Sequence, residues 1–91
     1  MTVEHDAANS RFVVRLPDGE AELLYAPFGD DVLDLQHTEV PASGHGKGVA
    51  DALIRAALAY ARERKMRVMA TCPYVQAWLR RHPSERPVSH S

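Results

Sequence analysis

The chain is poor in the features that announce a compartment or a polymeric partner. Its one cysteine, Cys72, cannot form an internal disulfide, which makes the cytoplasm the default expectation. No apolar run is long enough to span a membrane. The opening stretch Met1 to Ser10 is polar, with Glu4, His5 and Asp6, and does not read as a signal peptide. Neither sign of charge dominates: 11 Lys and Arg against 12 Asp and Glu leave a net charge of −1, without the basic excess of a general nucleic-acid binder. There is no internal repeat and no low-complexity segment. What remains is ordinary for a small soluble domain, with 45% hydrophobic and 25% charged residues in a chain of 91. That length leaves room for one core only.

Glycine is scarce as well, yet of five glycines three fall at Gly44, Gly46 and Gly48. The organisation around them is legible. Residues 1 to 10 read as a loose, flexible arm. Arg11 to Leu16 is strand-like, Pro17-Asp18-Gly19 has hairpin-turn chemistry, and Glu20 to Ala26 forms a second strand with Ala21, Leu23 and Tyr25 on one face. Pro27-Phe28-Gly29-Asp30 reads as a second turn. Val32 to Val40 is the third strand, and a period of two places Leu33, Leu35, His37 and Glu39 on one side. Past the glycines, Val49, Ala50, Leu53, Ile54, Ala57, Leu58 and Ala61 fall on one helical stripe. Asp51 in the first turn and Arg62, Arg64 and Lys65 in the last suit the helix dipole. Met66 to Ala70 reads as a buried strand and Val75 to Arg81 as a short helix stopped by Pro83, leaving residues 84 to 91 as a polar tail in which Val88 is the sizeable apolar residue. The expected class is α+β: an antiparallel three-stranded meander, a β-α-β crossover and a short C-terminal helix, with the domain confined to residues 11 to 83.

A strand, a glycine-rich turn and a helix start form an anion cradle, because converging backbone amides and the helix N-terminus both favour negative charge. The alternative is a turn that merely reverses the chain. Known phosphate motifs narrow the choice. A P-loop needs a hydroxyl after its lysine, and Gly48 follows Lys47. A dinucleotide fingerprint needs a third glycine where Val49 or Asp51 stands. A third pattern, Arg/Gln-x-x-Gly-x-Gly/Ala, is met by His45-Gly46-Lys47-Gly48-Val49-Ala50 except at its first position.

That pattern resembles the coenzyme A site of the GNAT superfamily of N-acetyltransferases. His37-Thr38-Glu39-Val40-Pro41 before the loop, Cys72-Pro73-Tyr74-Val75 after it and Arg81-His82-Pro83 near the end resemble its short, single-domain GNAT-like subfamily, over nearly the whole chain from Phe12. The resemblance implies a minimal GNAT fold lacking the C-terminal strands of larger relatives, and acetyl-CoA as co-substrate. It implies that the pyrophosphate lies on the amides of His45, Gly46, Lys47, Gly48, Val49 and Ala50. The pantetheine arm would then run along the preceding strand beside Glu39 and Val40. His45 in place of Arg or Gln carries less charge at neutral pH, so weaker or more pH-dependent binding is expected. Lys47 either reaches a phosphate or is simply solvated.

Acetyl transfer to an amine needs a proton acceptor for the amine, a polarised thioester carbonyl and a proton for the leaving thiolate. Glu39 and His37 at the strand end are candidates for taking the amine proton; the alternatives are an exposed carboxylate and a hydrogen-bonded structural histidine. Cys72 is either a nucleophile that forms an acetyl-cysteine or a packed thiol. Tyr74 either protonates the thiolate, as the resemblance implies, or packs on the sheet edge. A metal site is not expected: His37-x-Glu39 and Thr71-Cys72-Pro73 lack the second cysteine of a zinc deaminase. Two functions follow. One is an N-acetyltransferase acting on a primary amine of unknown identity; the other is a CoA- or acyl-CoA-binding module, weakly catalytic or inert, that acts through a protein partner. The expected partners are acetyl-CoA and that amine, with no nucleic acid or membrane, and with the chain as a monomer or homodimer.

Overall fold

The computed structural model describes residues 1 to 87; Val88 and the rest of the polar tail lie outside the described residues. Its elements in chain order are β1 (Glu4–Asp6), β2 (Arg11–Leu16), β3 (Gly19–Phe28), β4 (Val32–Glu39), α1 (Val49–Glu63), β5 (Arg67–Ala70) and α2 (Pro73–Arg81), with short 3-10 turns at Ala7–Asn9, Ala42–Gly44 and Pro83–Glu85. The strands form one five-stranded sheet in the order β1-β2-β3-β4-β5. The first four pair antiparallel, and β5 joins β4 in parallel through the α1 crossover. This is the α+β arrangement the sequence predicts.

Several boundaries differ for physical reasons. Residues 4 to 6, expected within a loose arm, form β1 on the β2 edge. His5 anchors them: its ring stacks on Phe12 at 4.4 Å between centroids, and its Nε2 shares a hydrogen bond of 2.6 Å with the Tyr25 hydroxyl. Strand β3 continues through Pro27 and Phe28, which the sequence assigned to a turn. The reversal comes at Gly29, whose φ of +71° suits glycine. Helix α2 begins at Pro73, because proline is suited to a position whose amide would have no intrahelical partner. The tail begins later than expected, since Pro83–Glu85 makes a helical turn and Arg86 donates to the Val68 carbonyl at 2.9 Å.

One core lies between the sheet and the helices. Val49, Leu53, Ile54, Ala57, Leu58 and Ala61 of α1 meet Phe12, Val14, Ala21, Leu23, Leu33 and Leu35 from the sheet and Val75, Trp78 and Leu79 from α2. Helix α1 ends in a left-handed residue, Lys65 at φ +58°, with Met66 N–H donating to the Ala61 carbonyl at 2.8 Å and Lys65 N–H to the Arg62 carbonyl at 3.1 Å. That double bond pattern is the usual glycine-type helix stop, built here with a lysine. No helix of the described residues is long and apolar enough to cross a membrane.

Candidate functional site

The site is organised by a bulge in β4. Leu24 pairs with His37 and Tyr25 with Leu35, so Gln36 is an extra residue with no partner on β3. An extra residue reverses the alternation of side chains beyond it. Leu33 and Leu35 therefore face the core, whereas Thr38, paired with buried Leu23, takes the helix side. His37 and Glu39 turn to the opposite, open face, where their side chains are 57% and 70% exposed and stand 3.8 Å apart. The expectation that Leu33, Leu35, His37 and Glu39 share one face fails at Gln36.

The same bulge marks where β4 and β5 part. The Leu35 carbonyl accepts the amides of both Thr71 and Cys72, each at 3.1 Å, and β4 residues beyond it have no β5 partner. Asp34 closes the junction, its buried carboxylate accepting from the Thr71 amide at 3.0 Å and from the Thr71 hydroxyl at 2.8 and 2.9 Å. The chain then turns into α2 with Cys72 at its start. In the space so opened lies a cleft of about 470 Å³ lined by Thr38, Val40, the glycine loop, the first turn of α1 and Tyr74.

The loop that floors this cleft is shaped for backbone donors. Gly46 and Gly48 have φ of +73° and +76°, in the left-handed region that other residues avoid. Gly48 precedes the first residue of α1 and offers no capping side chain. Among the described residues, the amides of Gly46, Gly48, Val49 and Ala50 donate to no protein acceptor. Helix dipole and free amides coincide at one spot. Gly44 underlies the loop, so tightly that a Cβ there would come within 2.8 Å of Leu16 and Val40 carbons. From outside, Asp18 in the β2–β3 turn accepts from the Ser43 hydroxyl and from its amide at 3.2 Å. These bonds hold the Asp18 carboxyl below its ordinary range.

The expected residues divide accordingly. Val40, His45, Gly46, Gly48, Val49, Ala50 and Tyr74 line the cleft, whereas Lys47, Glu39 and His37 do not. The amide of Lys47 is already committed to the Gly44 carbonyl at 3.3 Å. The His45 amide bonds the Ala42 carbonyl, and its ring Nε2 donates to the Val40 carbonyl at 2.9 Å. Cys72 is buried one layer behind the cleft, its Sγ 3.7 Å from the Thr38 hydroxyl. Tyr74 is 48% exposed at the rim.

Three lining residues were not among the expected site residues: Gly44, Thr38 and Asp51. Thr38 was hidden by the bulge, which leaves no mark in a period-two pattern. Asp51, taken only as a dipole complement, accepts from the Trp78 indole and from Arg55 at 2.9 Å each, joining α1 to α2 below the cleft. Burial pushes the Asp51 carboxyl up, but the Trp78 and Arg55 hydrogen bonds outweigh it and hold the group low.

A sequence model of the GCN5-related N-acetyl-transferase family matches residues 11–88. Protein NATD1 of Gallus gallus is 39% identical over 90 residues, 97% of this chain and 82% of that protein. Protein NATD1 of Homo sapiens is 41% identical over 83 residues, 89% of this chain and 74% of the relative. The solution structure of a GCN5-like protein of Staphylococcus aureus superposes with a TM-score of 0.73 at 21% identity, covering 96% of this chain and 85% of that one.

Proposed function

The chain belongs to the GCN5-related N-acetyltransferase family, and on that footing we propose that it transfers the acetyl group of acetyl-CoA to a primary amine. The observation that carries this reading is the continuity of the cradle with the cleft. Free amides at Gly46, Gly48, Val49 and Ala50 fit a diphosphate, and the cleft leads from them past Val40 and Thr38 to Tyr74. Bound there, acetyl-CoA supplies an activated acyl carbon. The amine nitrogen bonds to that carbon, the carbon–sulfur bond breaks, the nitrogen sheds a proton and the sulfur gains one. The Tyr74 hydroxyl at the rim is the donor we assign to the sulfur. The Cys72 thiol, behind Thr38, acts either as a transient acyl carrier or as packing for the thioester. Glu39 and His37 reach the amine only from the open face of the sheet.

A second reading has its own support. The cleft-lining carboxylate, Asp51, is already engaged by Trp78 and Arg55, and His37 and Glu39, which stand 3.8 Å apart, do not line the cleft. That arrangement favours a coenzyme-binding module that works through a protein partner. Calorimetric titration with acetyl-CoA, followed by thiol release with a panel of primary amines, separates the two. Turnover supports the enzyme, binding without turnover supports the module, and no binding removes both. Within an active enzyme, Cys72→Ala and Glu39→Gln sort the mechanism: an acetyl mass shift at Cys72 supports a covalent route, and unchanged rates in both variants exclude both residues.

A further inference from the structure

Two side-chain hydroxyls line the cleft, those of Thr38 and Tyr74. Tyr74 faces the departing sulfur in the reading above, and Thr38 has no role in it. Thr38 is half-buried on the helix side of β4. The strand runs toward the glycine loop, so Thr38, two positions before Val40, lies about 6–7 Å farther from the cradle. Its Oγ1 is 3.7 Å from the Cys72 Sγ, and among the described residues neither atom has another hydrogen-bond partner. One contact thus joins two groups that each carry a proton. The thiol is buried, with Cys72 only 6% exposed, whereas Oγ1 borders the open cleft. Both protons find an acceptor only when the S–H donates to Oγ1 and the Thr38 O–H points into the cleft. In the reverse arrangement the hydroxyl is spent on sulfur, and the S–H is left in the core with nothing to bond.

We infer that Thr38 is the residue that recognises the acyl group: its hydroxyl, turned into the cleft by the Cys72 thiol, donates to the carbonyl oxygen of the thioester. This rests on the coenzyme A reading above and adds the group that tells the acylated coenzyme from the free thiol. The carbonyl oxygen is an acceptor that free CoA lacks, so the bond forms with the acylated ligand alone. The same bond strengthens during transfer. As the amine nitrogen bonds to the acyl carbon, the carbonyl π pair moves onto oxygen, and a hydrogen bond to that developing charge is stronger than one to the neutral carbonyl. Thr38 keeps its proton throughout. The pair returns to the carbon–oxygen bond as the carbon–sulfur bond breaks, and the sulfur leaves with its bonding pair to be protonated. Threonine suits this use, because β-branching restricts χ1 and lets the strand set the direction of the hydroxyl. Cys72 acts through Thr38 and is a positioning residue, a role that requires neither its acylation nor its ionisation.

The test compares acetyl-CoA with CoA on the wild-type chain, Thr38→Val, Thr38→Ser, Cys72→Ala and Cys72→Ser. Calorimetry gives the dissociation constants, and infrared difference spectra with an isotopically labelled thioester carbonyl report the hydrogen bond itself. Thr38→Val keeps the shape of the side chain and removes the donor. Acetyl-CoA should then bind about fivefold more weakly while CoA stays within about twofold of wild type. The downward shift of the carbonyl stretch on binding, expected in the wild-type chain, should vanish in that variant. Thr38→Ser should keep both the affinity ratio and the shift. Cys72→Ala should lose part of the shift, and Cys72→Ser, which retains a donor, should regain it. Equal weakening of both ligands in Thr38→Val, or a carbonyl stretch that is the same there as in wild type, overturns the assignment of Thr38 and leaves the coenzyme site standing. A full shift in Cys72→Ala overturns the positioning role of the thiol. If neither ligand binds the wild-type chain, the coenzyme reading itself fails, and the role of Thr38 with it.

Discussion

Gly44 is the position where packing and the proposed site meet most directly, and Gly44→Ala is the sharpest probe of both. Its φ is not positive, so an alanine there is not opposed by backbone strain; the cost is steric. The added methyl would lie 2.8 Å from Leu16 Cδ1, 2.8 Å from Val40 Cγ1 and 3.1 Å from Val49 Cγ2. Carbon atoms are comfortable at about 3.5–4.0 Å, so each neighbour must retreat by about 0.5–1 Å. Leu16 can rotate away, but Val40 and Val49 are short, branched side chains held just past the end of β4 and at the start of α1. Relief therefore requires the N-terminus of α1 to move away from β4, which widens the cradle. Overpacking of this kind costs about 1–3 kcal/mol, and in a domain of this size that lowers Tm by about 5–20 °C. Thermal melts followed by circular dichroism give the stability, and calorimetry with CoA gives the effect on the cradle, where affinity should fall as well. Gly29→Ala is the control: φ is +71° with nothing near the added Cβ, so it should cost about 1 kcal/mol through backbone strain and leave CoA affinity unchanged. A melting temperature for Gly44→Ala within about 1 °C of wild type would refute the packing argument.

Lys65→Gly should stabilise the chain by about 0.5–1 kcal/mol, because Lys65 occupies the left-handed position of the α1 stop; a chemical denaturation midpoint no higher than wild type would count against it. Asp18, held by Ser43, and Asp51, held by Trp78 and Arg55 against the upward push of burial, both titrate below the ordinary value of 3.8 when folded. Groups shifted downward add stability that is complete above their unfolded pKa and is lost as pH falls through the folded value. Melting temperature should thus hold from neutrality to about pH 5 and then decline, with a shallower acid limb in Asp51→Asn; an unchanged acid limb in that variant excludes Asp51 as a contributor. Trp78→Phe should cost about 2 kcal/mol by removing the indole donor and leaving a small void. A double-mutant cycle with Asp51→Ala checks the bond itself: the two losses should not add, and strict additivity would show that the indole–carboxylate contact carries no energy.

The architecture was legible wherever one periodicity ran unbroken. The α1 stripe, the Ala21-Leu23-Tyr25 face of β3 and the hairpin at Pro17-Asp18-Gly19 all follow from local pattern and turn chemistry. The left-handed turn of the loop was legible too, because glycines at Gly46 and Gly48 are a direct statement about backbone conformation. What stayed hidden depended on partners distant in the chain. The Gln36 bulge exists only relative to β3, and no feature of Val32 to Val40 distinguishes a bulged strand from a straight one. Its effect reaches the chemistry, since it exchanges Thr38 and Val40 for His37 and Glu39 on the cleft side. Strand β1 was missed for a similar reason: three polar residues carry no strand signal until His5 finds Phe12 and Tyr25.

The bulge also explains how so short a chain opens a cleft beside a sheet without leaving both sides of it raw. Before Gln36, β4 is hydrogen-bonded to β3 on one side and β5 on the other; after it, the β5 side is released because Thr71 and Cys72 both turn onto the Leu35 carbonyl. The released backbone at Val40 is not left bare, since His45 covers it. The outer edge of β5 is treated in the same way. Its Val68 carbonyl accepts from Arg86 and its Ala70 carbonyl from Gln76, each at 2.9 Å. A sheet edge capped by charged and amide side chains resists pairing with another strand. The two kinds of cap differ in what holds them. Gln76 projects from α2, and Arg86 follows a turn whose Glu85 is bonded through its carboxylate to Arg55 and through its carbonyl to Arg62. His45 sits on a loop followed by Gly46, and among the described residues its ring makes one hydrogen bond, with its amide bonded to the Ala42 carbonyl. Each of the three caps is a single side-chain hydrogen bond; the β5 caps rest on α2 and on the tied Pro83–Glu85 turn, whereas the Val40 cap rests on the glycine loop.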